Sequence, residues 1–219
     1  MLERVMAAHP RGPGHVMQLL GTHEHAPDLW LALEKFDHTV EELAPERMTP
    51  MVLMTVAYGS VKGLVEIEQA GIVDDDVTPK NIAFKSDNGH VAHIDLGYAR
   101  LPGDPPRGYT EQYAAPEIVN GVPSDTSACY GWARTIEFLC YGRADLGPHH
   151  SLHDLLPWVG PRLASLVVAC TLPNPERRPS VSELAHTVRD IVRHRRRCPC
   201  SNAIMFRDGV CPNCGRCDK

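Results

Sequence analysis

The 219-residue chain is 43% hydrophobic and 22% charged, the composition of an ordinary globular protein long enough for one domain and an appendage. Its net charge of −5 offers nucleic acid or an anionic membrane no general attraction, so neither is an expected partner. No apolar run reaches the roughly 18 residues that a membrane span needs, and MLERVMAAHPRGPGH has charge and proline where a signal peptide needs an apolar stretch, so a cytoplasmic protein is expected.

HVMQLLG (15–21) and LWLALEKF (29–36) are brief apolar runs separated by a polar turn and read as two short strands. From Thr49 to Gly71, Val52, Leu53, Val56, Val61, Leu64, Val65 and Ile67 recur at helical spacing, with Pro50 suited to the start and Gly71 to the stop. NIAF and HVAHI flank the turn signal SDNG and read as a small hairpin. LGYARLPGDPPRGYTEQYAAPE is rich in Gly, Pro and polar residues and reads as an ordered, irregular loop. Beyond it, 125–141 reads as a buried helix, followed by helices in LHDLLPWV, PRLASLVVACTL and SVSELAHTVRDIVRHRRR, the last opened by a Ser180/Glu183 capping box. Cys129, Cys140 and Cys170 sit singly in apolar surroundings and read as small core residues.

Phosphoryl transfer from ATP needs a carboxylate to orient the attacking hydroxyl, an amide and a second carboxylate to hold magnesium, and a cation on the transferred phosphate. Asp76, Asn81, Asp95 and Lys80 supply these types within DDDVTPKN (74–81) and DLG (95–97), and APE (115–117) follows. On its own the triple aspartate reads as a solvated turn. With the other motifs in register, Asp76 reads as a site residue, whereas Asp74 and Asp75 keep the plainer reading.

The three motifs resemble the catalytic loop, the metal-binding motif and the Ala-Pro-Glu segment of eukaryotic-like Ser/Thr protein kinases. The resemblance covers about residues 9 to 194 and implies Asp76, Lys80 and Asn81 as catalytic, with Asn81 and Asp95 on magnesium. It also implies Thr110 as the substrate-side residue against the catalytic aspartate, Leu33 as gatekeeper, and Glu34 to Phe36 as the adenine-binding hinge. Asp125, before Gly131, is similar to the aspartate that holds the catalytic loop's backbone, and Arg178 to the arginine that pairs with Glu117.

The departures from the family pattern matter as much. Asp74 and Asp75 replace the histidine and arginine before the catalytic aspartate, so the usual receiver of an activation-loop phosphate is missing. Thr78 replaces the catalytic-loop lysine, and Lys80 sits where tyrosine kinases carry an arginine. No GxGxxG occurs. The chain begins roughly where the helix that carries the family's paired glutamate ends, and Glu3 would have no strand lysine to face.

CPCSNAIMFRDGVCPNCGRC places Cys198 and Cys200 ten residues before Cys211 and Cys214, two thiolate pairs joined by the strand-like IMFRDGV, which matches a structural zinc ribbon. Cys217 is an alternative ligand, and a reactive or disulfide-forming cluster is the competing reading. Arg193 and Arg195 to Arg197 suit a helix C-terminus or a local patch for nucleic acid or an acidic partner, shared with the ribbon.

The expected architecture is mainly α (α+β): a small-lobe remnant and hinge over 1–48, a kinase-like large lobe over 49–197 and a zinc-ribbon-like module over 198–219. Two functions compete. One is a pseudokinase-type binding or regulatory module with a retained Mg-ATP site. The other is an active Ser/Thr phosphotransferase whose nucleotide site is completed by a protein partner or a second copy in a homodimer.

Overall fold

The computed structural model describes residues 1–12, 14–25, 28–43, 48–142, 159–197 and 204–205. It is a mixed helix and sheet structure organised around α2 (Pro50–Gln69). Thr49 caps this helix, its side chain accepting from Val52 N–H at 3.2 Å, Pro50 opens the first turn, and Gly71 leaves with φ +67°, so the start and stop signals act as read. The helix is apolar enough by length and composition to cross a membrane, yet 56% of that window is buried within the fold. Leu53, Val56, Val61, Leu64 and Ile67 point into the core, with Val52 and Val65 at its margin.

Against α2 lie α1 (Leu2–Ala8), α4 (Ser127–Tyr141) and α6 (Val181–Arg193), while α5 (Pro161–Cys170) packs on α4 and α6. The capping box opening α6 is present in both directions, and Gly142, at φ +71°, closes α4 in a left-handed cap. Trp132 is fully buried at the α2–α4 contact and donates its indole N–H to Ser60 Oγ at 3.1 Å, so its one polar atom is satisfied. Cys129, Cys140 and Cys170 belong to this core; burial pushes the first two thiols up to about 12 and Cys170 well above the ordinary range.

Three small sheets surround the helices. β3 (His38–Thr39), β4 (Ile82–Phe84) and β5 (Val91–His93) form an antiparallel sheet, with Ile82 opposite His93 and Phe84 opposite Val91. This is the hairpin read around SDNG. β1 (Leu19–His25) and β2 (Asp28–Leu33) form a separate antiparallel pair. Here the strand boundaries move: β1 starts at Leu19 and runs through Thr22–His25, which the sequence reads as turn. Those polar residues are exposed, so main-chain pairing rather than burial makes them strand. β6 (Arg196–Arg197) pairs with β7 (Ile204–Met205), so the described part of IMFRDGV is strand and its partner is the arginine run after α6. Cys198, Cys200, Cys211, Cys214 and Cys217, and all but the last residue of LHDLLPWV, lie outside the described residues.

The N-terminal segment is fastened to the large helical body by polar contacts. Glu66 of α2 accepts Gly14 N–H at 2.9 Å and His15 N–H at 2.7 Å on its two carboxylate oxygens. His15 donates Nδ1–H to the Val91 carbonyl at 2.8 Å, and Val16 bridges His93 in parallel. Burial lowers the His15 pKa, and the bond to the Val91 carbonyl opposes that shift.

Gly131 of α4 has no room for a side chain, because a Cβ there would sit 2.8 Å from the Val77 carbonyl oxygen. Alanine in a free helix is favoured over glycine by about 1 kcal/mol. Here overpacking reverses the sign, and Gly131→Ala is expected to lower stability by about 1–3 kcal/mol in urea unfolding. An unchanged or higher midpoint would show that α4 can move off the loop.

Candidate functional site

The loop from Ile72 to Pro79 leaves α2 and runs through the interior, every one of its residues buried. It therefore carries three successive carboxylates into the fold, and each finds different company. Asp76 takes Asn81 Nδ2–H on Oδ2 at 2.7 Å and Thr110 N–H on Oδ1 at 2.7 Å. A one-turn 3₁₀ helix, Pro79–Asn81, brings Asn81 back toward Asp76, where its Nδ2 also donates to the Asp76 carbonyl at 3.0 Å. With the amide nitrogen committed to Asp76, the Asn81 side-chain oxygen is the atom left to accept a cation.

Asp95 stands beside Asn81, because the neighbouring Ile94 donates its N–H to the Asn81 carbonyl at 2.9 Å. Asp95 is exposed and accepts Gly97 N–H on Oδ1 at 2.7 Å, an Asx turn that presents the carboxylate outward. An amide oxygen and a carboxylate are the ligand types of the sparse protein ligation that magnesium takes when phosphates and water fill its remaining positions. Lys80 is exposed and makes no ion pair with a described residue. Thr110 does reach Asp76, but through its backbone amide rather than its hydroxyl.

Asp75 is not a solvated turn residue. Its carboxylate is fully buried and receives Arg100 Nε–H at 2.6 Å, Arg100 Nη2–H at 3.3 Å and Ser127 Oγ–H at 2.6 Å. Burial pushes its pKa up, while Arg100 and Ser127 oppose that push. Asp74 is buried as well: Oδ1 accepts Asp76 N–H at 3.0 Å, and Oδ2 faces His93 Nδ1 at 3.6 Å, too far for a hydrogen bond. Thr78, in the place of the family's lysine, is fully buried with its hydroxyl lacking a hydrogen-bond partner.

Arg100 is the residue that sequence reasoning missed. An arginine between Ala99 and Leu101, in a chain where an aspartate replaces the expected loop arginine, was the available signal. Asp125 corrects the other way. It is exposed, and Ser127, two residues on, bonds to the loop. Asp125 lies outside the helix, which starts at Ser127, whereas the Ser127 hydroxyl faces inward from its first turn.

Leu33, Glu34 and Phe36 lie at the end of β2 and the link to β3. An open cleft of about 270 Å³ beside them is lined by Met17, Glu34, Phe36, Asp37, Ala83 and Ile94, among others. Glu34 is not free: Lys85 Nζ bonds to it at 2.6 Å and sits 4.9 Å from the Phe36 ring centre. A larger cleft of about 500 Å³ between α2 and α6 contains none of these residues. Glu117, in the short helix α3 (Pro116–Val119), is gripped by both guanidinium nitrogens of Arg178, with Nη2 to Oε2 at 2.8 Å, as the sequence reading expects.

The chain is similar in sequence to Ser/Thr protein kinases over much of its length. It is 29% identical over 200 residues to the probable serine/threonine-protein kinase PkwA of Thermomonospora curvata, a match covering 82% of this chain and 26% of that one. It is 28% identical over 170 residues to the serine/threonine-protein kinase PkaB of Streptomyces coelicolor (67% and 41%), and 26% identical over 127 residues to cyclin-dependent kinase D-1 of Arabidopsis thaliana (54% and 32%). The matched stretches thus span less than half the length of each relative. No family model matches the chain.

Arg178 is fully buried, so removing it strands the Glu117 carboxylate. Arg178→Met is expected to cost about 3–5 kcal/mol in urea unfolding. Adding Glu117→Gln should recover most of that loss, and strict additivity of the two changes would refute the pairing.

Proposed function

We propose that this chain is a protein-kinase-like module that binds a nucleotide with magnesium in the cleft at Met17, Phe36 and Ile94 and depends on a protein partner, or a second copy, for full function. The observation that carries the proposal is the joined set of Asp76, Asn81 and Thr110, in which the Asn81 amide nitrogen orients the Asp76 carboxylate, with Asp95 following the Ile94 N–H that bonds to the Asn81 carbonyl. In such a site Asn81 and Asp95 would hold magnesium, which neutralises phosphate charge when bound. The protein's own part is positional. Asp76, fixed from both sides, accepts a hydroxyl proton, Lys80 extends freely toward transferred phosphate, and Met17, Ala83 and Ile94 offer an apolar face to an adenine.

Partner dependence rests on charge. The cleft is lined by Glu34, Asp37 and Glu42, and no described lysine or arginine lines it. A triphosphate placed there meets carboxylates before it meets a cation, so magnesium alone leaves the site electrostatically short. A basic group from another chain would supply what is lacking. Without it the module would act in binding and regulation. Active transfer to Ser or Thr hydroxyls is the second reading, favoured by the contact that the Thr110 segment makes with Asp76.

At the C-terminus, the spacing of Cys198, Cys200, Cys211 and Cys214 supports a structural zinc site, with Cys217 as the alternative ligand.

Calorimetric titration with ATP should show binding only when magnesium is present, and Asp95→Asn should remove the magnesium-dependent part. Absence of such binding at millimolar ATP would sink the nucleotide reading. Where transfer is detected, Asp76→Asn should lower its rate by about 10²–10⁴-fold; transfer at the original rate would remove Asp76 from the proposed role.

Elemental analysis of the purified chain should find about one zinc per molecule, and metal-free protein that keeps its fold would refute the ribbon.

A further inference from the structure

We infer that the buried Asp75–Arg100 pair is a clasp that sets the 101–113 segment over Asp76 without any phosphate. The segment is closed at both ends on neighbouring carboxylates. At its start, Arg100 bonds to Asp75; at its far end, Thr110 N–H bonds to Asp76 Oδ1 at 2.7 Å. Asp75 and Asp76 are adjacent in the chain, so the loop between these contacts returns to the place from which it started. Fixing one end shortens the free chain that must be ordered at the other, which lowers the entropy lost in holding Thr110 against Asp76.

The clasp is built as a complete buried site. Arg100 is fully buried, and each of its guanidinium nitrogens has an acceptor: Nε on Asp75, Nη2 on Asp75 and on the Ser124 carbonyl at 2.7 Å, and Nη1 on the Leu101 carbonyl at 3.2 Å. Asp75 takes a further hydrogen bond from Ser127 of α4. The Arg100 backbone adds two more bonds, exchanged with Val73 at 2.9 Å each way. A buried pair whose donors and acceptors are all met holds one geometry and resists replacement of either member. Three parts of the chain therefore meet at one carboxylate: the loop before Asp76, the start of the 101–113 segment, and the first turn of α4. Farther along, the Tyr98 ring lies against Gly108, where a Cβ would meet it at 2.4 Å, and steadies the middle of the same segment.

Asp75 and Arg100 are positioning residues. They touch neither the cleft nor the Asp76 carboxylate, and act through Thr110. Their structural role stands on the contacts alone; only their effect on a transfer rate rests on the proposed function.

Hydrogen exchange followed by mass spectrometry on the full, unphosphorylated chain tests this directly. Asp75→Asn keeps the side-chain shape and removes the charge, Arg100→Lys keeps the charge and removes the fork, and Ser127→Ala removes one donor from α4. In Asp75→Asn, peptides covering 101–113 should exchange about tenfold faster or more while α2 and α4 keep their protection. Arg100→Lys should fall between wild type and Asp75→Asn, and Ser127→Ala should show a smaller increase confined to the same peptides. Wild-type protection of 101–113 in folded Asp75→Asn overturns the clasp, as does an equal loss of protection across α2 and α4. Should Asp75→Asn not fold, Ser127→Ala decides: faster exchange confined to 101–113 supports the clasp, and unchanged or uniformly faster exchange overturns it. If wild type transfers phosphate, Arg100→Lys should lower kcat with little change in KM for ATP. If it does not, the proposed function fails while the exchange result still decides the clasp.

Discussion

Three adjacent carboxylates inside a protein repel one another and lose their water, and the region between α2 and β4 is arranged so that each has its own surroundings. Asp74 turns to its own chain and to His93, Asp75 to Arg100 and Ser127, and Asp76 to Asn81 and Thr110. An uncompensated buried charge costs several kcal/mol. The loop's path is therefore bound to the places of those partners, which come from β5, α4, the 3₁₀ turn and the irregular segment after Asp95. The candidate site is thus a consequence of how the fold satisfies this loop rather than a decoration added to it.

The same logic separates the loop from the cleft. Around Asp76 every acid in the loop has a donor within hydrogen-bond distance, and one arginine is wholly committed to Asp75. Around Phe36 the acids Asp37 and Glu42 line an open space, and the nearby Lys85 is neutralised by Glu34. Asp37 and Glu42 accept main-chain N–H groups of Ser86 and Thr39, contacts that fix their position without cancelling their charge. A phosphate group approaching from the cleft meets a negative potential, and Lys80, the cation of the 74–81 stretch, is exposed and makes no ion pair with a described residue. A fixed loop beside a cleft lined by carboxylates is the observation behind the proposed partner contribution.

Much of this was legible in the sequence, and the limits have physical causes. Motif order pointed to Asp76, Asn81 and Asp95, which the fold brings together because a short 3₁₀ turn and one β-ladder connection act over few residues. The helix signals at Thr49, Pro50, Gly71, Ser180 and Glu183 worked because caps depend on local backbone geometry. Arg100 was missed because its partner lies 25 residues away and neither residue type announces burial, so the apolar neighbours and the absent loop arginine were its only signal. Thr110 meets Asp76 through its main-chain N–H, a donor that carries no residue-specific signal. The extent of β1 was missed because strand polarity is informative only where one face is buried, and this hairpin is largely exposed.

The division of the triple aspartate follows from chain geometry. Asp74 Oδ1 accepts the Asp76 N–H in an Asx turn, and the chain bends at Asp75 between them. Asp75 is thereby turned toward α4 and Arg100, where a positively charged side chain would meet a guanidinium that is already buried. Asp75 is therefore tied to Arg100: an arginine at 75 would bury two like charges together, and either partner alone would leave a buried charge unpaired. What reads in sequence as a departure from a kinase-type loop is, in the fold, one half of a buried, hydrogen-bonded pair.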